Sequence, residues 1–147
     1  MRYYEIYSIN SAVANDYFGR DEKLFQLFME MKVTSDMKMQ VILSRQIDYI
    51  TTKISSIDVH ECIHRHILNH PDQYRNKRWA DNRLYDSEGF VNLYCYPNRI
   101  LLEASGNGNQ ETGVFEALRS MDCYFLAIDC QKNCGGWLKP VKSVSLI

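Results

Sequence analysis

No apolar run in the 147-residue sequence approaches the roughly 20 residues that a membrane-spanning helix needs. The opening Met-Arg-Tyr-Tyr-Glu-Ile-Tyr is broken by Glu5 where an export signal requires an unbroken apolar core, so a cytoplasmic location is expected. Charge of one sign is also missing: 17 Lys and Arg stand against 18 Asp and Glu, a formal net charge of -1. That balance lacks the basic footprint needed to grip a phosphate backbone, which excludes a general nucleic-acid binder. There is no disulfide framework either. Five cysteines, Cys62, Cys95, Cys123, Cys130 and Cys134, are odd in number and scattered, and reduced thiols are expected. Gly106-Asn107-Gly108-Asn109 is followed by Gln110-Glu111-Thr112 without a phosphate-binding lysine, so it reads as a strand-to-helix connection rather than a nucleotide loop. No repeat, linker or low-complexity segment divides the chain, and a single domain over residues 1–147 is expected. A chain of this length buries about 70% of its unfolded surface and needs no structural metal.

Periodicity supplies the elements. Residues 2–9, RYYEIYSI, are aromatic and β-branched and read as a strand. Asn10 or Ser11 can cap a short helix over 12–18, which carries two i,i+4 pairs, Val13 with Tyr17 and Ala14 with Phe18, before Gly19 stops it. A helix over 21–32 spaces Leu24, Leu27, Phe28 and Met31 as a buried stripe. A third, from Thr34-Ser35-Asp36 to about residue 52, turns Met39, Leu43, Ile47 and Ile50 inward. A fourth opens at the capping box Ser55-x-x-Asp58 and runs toward His70, where Pro71 forbids continuation. The second half changes period, with strands over 78–85, 89–96 and 99–105, a helix over 110–121 and a buried strand over 123–129. The predicted architecture is α/β of the α+β type: a mixed sheet of about five strands packed with about five helices.

The most conspicuous chemical pattern is His60-Glu61-Cys62-Ile63-His64, with His70 at the spacing of an extended zinc-protease motif. On that alternative reading His60, His64 and His70 hold zinc and Glu61 activates the bound water. The geometry opposes it. The eighth position of the extended motif is a glycine that lets the chain leave the helix, and here it is Ile67, poorly suited to positive φ. A continuing helix carries His70 roughly 9 Å along and about 120° around from His64, out of reach of a shared ion. Val59, Ile63 and Ile67 also form an ordinary core stripe. Cys130-x-x-x-Cys134 lacks a second ligand pair, and the basic, aromatic run from Gln73 to Trp79 is a short solvated strand entrance.

Beyond these patterns, Ala14-Asn15-x-Tyr17-Phe18-Gly19-Arg20, the stretch RQIDYIT at 45–51, and the later EASG, FEALR, FLAID and GWLKPVK segments resemble, in order and spacing, the SirA family of sporulation inhibitors of replication. The likeness spans both ends and is weakest over 52–84, where the histidine motif falls. It implies a small, non-enzymatic α/β regulator that binds the N-terminal domain of the replication initiator DnaA, with no cofactor. Carried over residue by residue, the implied binding surface is Val13, Ala14 and Tyr17 with Gln46, Tyr49 and Pro140. Val13 stands where the family pattern has a larger aromatic, and Pro140 either extends the patch or fixes the C-terminal segment. The residues themselves agree: Val13 and Tyr17 lie one turn apart, Gln46 and Tyr49 are i,i+3, and Phe18 is expected to anchor the first helix.

Overall fold

The computed structural model describes residues 1–17 and 19–139, so Phe18 and Pro140 lie outside the described residues. The elements run β1 (Arg2–Ile9), α1 (Ser11–Asp16), α2 (Asp21–Val33), α3 (Met37–Ile50), β2 (Thr51–Thr52), α4 (Ser56–Asn69), β3 (Arg78–Ala80), β4 (Arg83–Asp86), β5 (Gly89–Cys95), β6 (Ile100–Gly106), α5 (Asn109–Arg119), β7 (Tyr124–Asp129) and β8 (Cys134–Trp137). The strands form one sheet in the order β3-β4-β5-β6-β1-β7-β8, with β2 paired to β1. Every described pairing is antiparallel. Because β6 and β7 both run antiparallel to β1, they are parallel to each other, and α5 is the crossover that joins them.

The central position of β1 follows from its composition. Ile6, Tyr7, Ser8 and Ile9 are buried in succession, which a strand achieves only when both of its faces are covered. Ile6 joins the core made by Val59 and Ile63 of α4, Val114 and Leu118 of α5, and Phe125. Tyr7 and Ile9, on the opposite face, join Ala14, Leu24, Phe28, Leu126 and Ile128. Helices α4 and α5 thus cover one face, while α1 and α2 cover the other, with Ile47 and Ile50 of α3 packed against them. Tyr7 stacks on Phe28 with ring centroids 4.3 Å apart and donates its hydroxyl to Glu5, which also accepts from Lys32 at the end of α2. These contacts fasten α2 to the sheet centre.

The α+β class is as expected, whereas among the described residues the sheet has eight strands instead of about five and none of its pairings is parallel. The predicted strand over 78–85 is a hairpin, because Asp81 and Asn82 both take positive φ, 52° and 64°, and reverse the chain between β3 and β4. Gly135 and Gly136, residue types that favour turns, lie in the edge strand β8. A Cβ on Gly135 would lie 2.8 Å from the Ala127 carbonyl oxygen, so this close strand approach requires glycine. Met39 does not face inward: of the four residues expected there, Leu43 is buried, Ile47 and Ile50 are half-buried, and Met39 is exposed. Tyr74, in the segment expected to be solvated, is buried and donates its hydroxyl to the Gly113 carbonyl at 3.1 Å.

Candidate protein-binding site

Helix α1 is short because its ends are determined locally. The Asn10 side chain accepts the Ala12 N–H at 2.9 Å, and Tyr17 closes the helix by donating its N–H to the Val13 carbonyl at 3.0 Å. Gly19, at φ 78°, then reverses the chain into α2. Asn10 also donates its backbone N–H to the Ile50 carbonyl at 2.8 Å, and Ile9 pairs with Thr51. This tie sets the start of α1 against the end of α3, so segments far apart in the sequence share one edge of the molecule.

Between them lies an open cleft of about 620 Å³, lined by Val13, Asp16 and Tyr17 of the α1 segment, Leu27 of α2, and Arg45, Gln46, Tyr49 and Ile50 of α3. Val13 and Tyr17 are half-buried, whereas Tyr49 is 83% exposed, an unusually bare aromatic for a folded surface. The Arg20 guanidinium lies 5.4 Å from the centre of the Tyr17 ring and donates to the Asp16 carbonyl at 2.6 Å, holding the ring at the rim. A neighbouring depression on the α2 side shares Tyr17, Leu27, Gln46 and Ile50.

Four of the six expected site residues, Val13, Tyr17, Gln46 and Tyr49, therefore meet in one cleft. Ala14 is a correction. It is fully buried against the sheet with Ile9, Leu24 and Phe28, so it offers no area to a partner and instead seats α1. Pro140 lies outside the described residues. Leu27, Arg45, Asp16 and Ile50 also line the cleft and are not among the residues the sequence assigns to a binding surface. Leu27 and Ile50 were assigned wholly to the core, yet both are only half-buried, and Arg45 adjoins Gln46 within the RQIDYIT stretch.

The histidine-rich helix is built differently. α4 is capped by Ser55, whose hydroxyl accepts the Asp58 N–H, and it runs unbroken through Ile67. His60 places Nδ1 2.7 Å from the Ser56 carbonyl and Nε2 2.6 Å from Asn82 Oδ1. His70 places Nδ1 2.9 Å from the His66 carbonyl, and its ring packs on that of His66 with centroids 4.2 Å apart. Burial, with the His70 charge adding to it, lowers the pKa of His66. His64 is exposed. Among the described residues no three His, Cys, Asp or Glu side chains are grouped so as to hold a metal ion, and all five thiols are free. Burial pushes the Cys95, Cys123 and Cys130 thiols up, away from the thiolate form a nucleophile needs.

On this mixed helix–sheet scaffold the open cleft is lined by Val13, Leu27, Ile50 and two tyrosines together with Arg45 and Gln46, and Tyr and Arg are residue types enriched at protein interfaces. The sequence matches the family described as sporulation inhibitor of replication protein SirA over residues 2–142. It is 34% identical, over 148 residues, to the sporulation inhibitor of replication protein SirA of Bacillus subtilis (strain 168), a match that covers 99% of each chain. The chain belongs to the SirA family.

Proposed function

We propose that this protein, acting as a single domain, inhibits the initiation of DNA replication during sporulation by binding the N-terminal domain of the initiator DnaA through the cleft between α1 and α3. One observation carries the reading: Val13 and Tyr17 from one segment and Gln46 and Tyr49 from another, the residues the family likeness implies, line the same cleft. Tyrosine suits the role, since it brings large apolar area with few rotatable bonds and is enriched among residues that dominate binding energy. A standard interface of roughly 800 Å² per partner would cover a large share of a small initiator domain, and steric competition then keeps the initiator from assembling productively at the origin. The reading requires no cofactor, catalytic residue, nucleic-acid contact or membrane and places the protein in the cytoplasm. Among the described residues no helix is long and apolar enough to cross a membrane.

Size-exclusion chromatography of the full chain mixed with the isolated N-terminal domain of DnaA tests this directly. Co-elution is expected, and Tyr17→Ala should weaken it by on the order of 2 kcal/mol or more while the variant, checked by its melting curve, remains folded. Absence of any association at micromolar concentration refutes the proposal.

A further inference from the structure

Helix α3 shows more apolar surface than its packing requires. Leu43 and Ile47 turn to the core, but Met39 and Ile42 remain 44% and 49% exposed. With Gln46 and Tyr49 they recur at i, i+3, i+7 and i+10, which places all four on one face of the helix. Two of the four already line the cleft. The stripe therefore begins in the cleft and continues for about 15 Å toward the turn joining α2 and α3. Its spacing of three and four residues alternately is that of a seam that packs against another helix, with a polar Gln46 at one of the inward positions, where such a residue sets register.

On α3 itself the border of the stripe carries two cations, while Asp16 of α1 lies across the cleft. Lys38 and Arg45, seven residues apart, form the adjoining row, and helical geometry puts Asp48 on the far side of Arg45. Both cations are exposed, and among the described residues neither makes an ion pair.

We propose that the partner's contact continues out of the cleft along α3, over Ile42 and Met39, and that the partner element seated there is an amphipathic helix whose apolar seam is edged by carboxylates facing Lys38 and Arg45. The inference rests on the function proposed above, because it assigns the stripe to the same partner. Its spacing argues for a helix, its continuity with the cleft for the same partner, and its unpaired cations for the acidic edge.

The test is titration of the full chain with the DnaA N-terminal domain by calorimetry at two salt concentrations. Variants are the double substitution Met39→Ser with Ile42→Ser, the single Arg45→Glu, and Val33→Ser as a control that is 77% exposed but off the stripe. Melting curves confirm that each remains folded. The double variant should weaken binding about tenfold or more, Arg45→Glu should weaken it most at low salt, and Val33→Ser should stay within about twofold of the parent. If Tyr17→Ala weakens binding while the stripe variants do not, the contact ends in the cleft and this inference fails while the functional reading stands. If the parent protein does not bind at all, both fail. Stronger binding by Arg45→Glu overturns the acidic edge. A dimer of the protein alone that the Met39/Ile42 variant abolishes would give the stripe to a second copy and overturn the assignment.

Discussion

Enlarging Ala14 should damage the cleft without touching it. Ala14 has no exposed surface and is wedged between α1 and the sheet, against Ile9, Leu24 and Phe28. Ala14→Leu adds three heavy atoms to a site with no room for them, and overpacking of this kind costs about 1–3 kcal/mol. Leucine's helix propensity is close to that of alanine, so the substitution leaves the intrinsic preference of α1 nearly unchanged and isolates the packing term. For a domain of this size each kcal/mol lowers the melting temperature by about 2–4 °C, so a fall of roughly 2–12 °C is expected. Strain should be relieved by moving α1 outward, because the backbone bond from Asn10 to the Ile50 carbonyl fastens only its start. Val13 and Tyr17 then shift relative to Gln46 and Tyr49. Urea unfolding and initiator-domain titration on the same variant are the assays, with loss of binding exceeding the fraction unfolded. A variant as stable as the parent would show that Ala14 does not seat α1 on the sheet.

Gly113→Ala brings a Cβ to 3.1 Å from both Cε1 and the hydroxyl oxygen of Tyr74, so overpacking outweighs the roughly 1 kcal/mol of helix propensity gained and the protein is destabilised in chemical denaturation. In a Tyr74→Ala background the same substitution should become stabilising; equal effects in both backgrounds would exclude the clash. The Tyr74 phenol is pushed up to about 12 by burial, with the charge of Glu116 adding to it. Since the folded value lies above the unfolded value near 10, its contribution to stability is intact below pH 10 and is lost as the pH rises toward 12, a decline that should be shallower in Tyr74→Phe. Dialysis against a strong chelator should leave the melting temperature unchanged, whereas a fall reversed by zinc would revive a metal role for the histidine-rich helix.

What could be read from the residues alone was what short-range chemistry determines. Asn10 and Ser55 cap their helices as their side chains suggest, each accepting a nearby backbone N–H, whereas at α3 the cap is Asp36 rather than the hydroxyl residue expected before it. The aromatic and β-branched composition of RYYEIYSI marked β1, and the Ile67 objection to the zinc motif agrees with a helix that runs through that position. The losses arose where an outcome depends on distant partners. Met39 has the spacing of a core residue, and spacing alone cannot distinguish a face turned to the sheet from one turned to solvent. Gly135 and Gly136 carry turn chemistry, and only the proximity of Ala127 makes a strand of them. In the cleft, the spacings placed Val13 with Tyr17 and Gln46 with Tyr49, but bringing the two pairs together rested on the family resemblance, because the Asn10–Ile50 bond that joins their helices has no local signature. The Asp81-Asn82 dipeptide was the one readable signal passed over, since both residues tolerate positive φ.

The place of β1 at the middle of the sheet also governs when the molecule becomes able to act. Its two long neighbours arrive late, Tyr4 pairing with Leu102 and Ile6 with Ala127, so the strand emerges from the ribosome well before the strands on either side of it. Until β7 is made, Leu126 and Ile128 are missing from the platform beneath α1 and α2. Such long-range closure makes for slow assembly. On the function proposed above, a product cut short before Ile128 lacks the sheet residues on which α1 and α2 pack and is expected not to bind the partner, so the number of chains carried past β7 would set the effective dose.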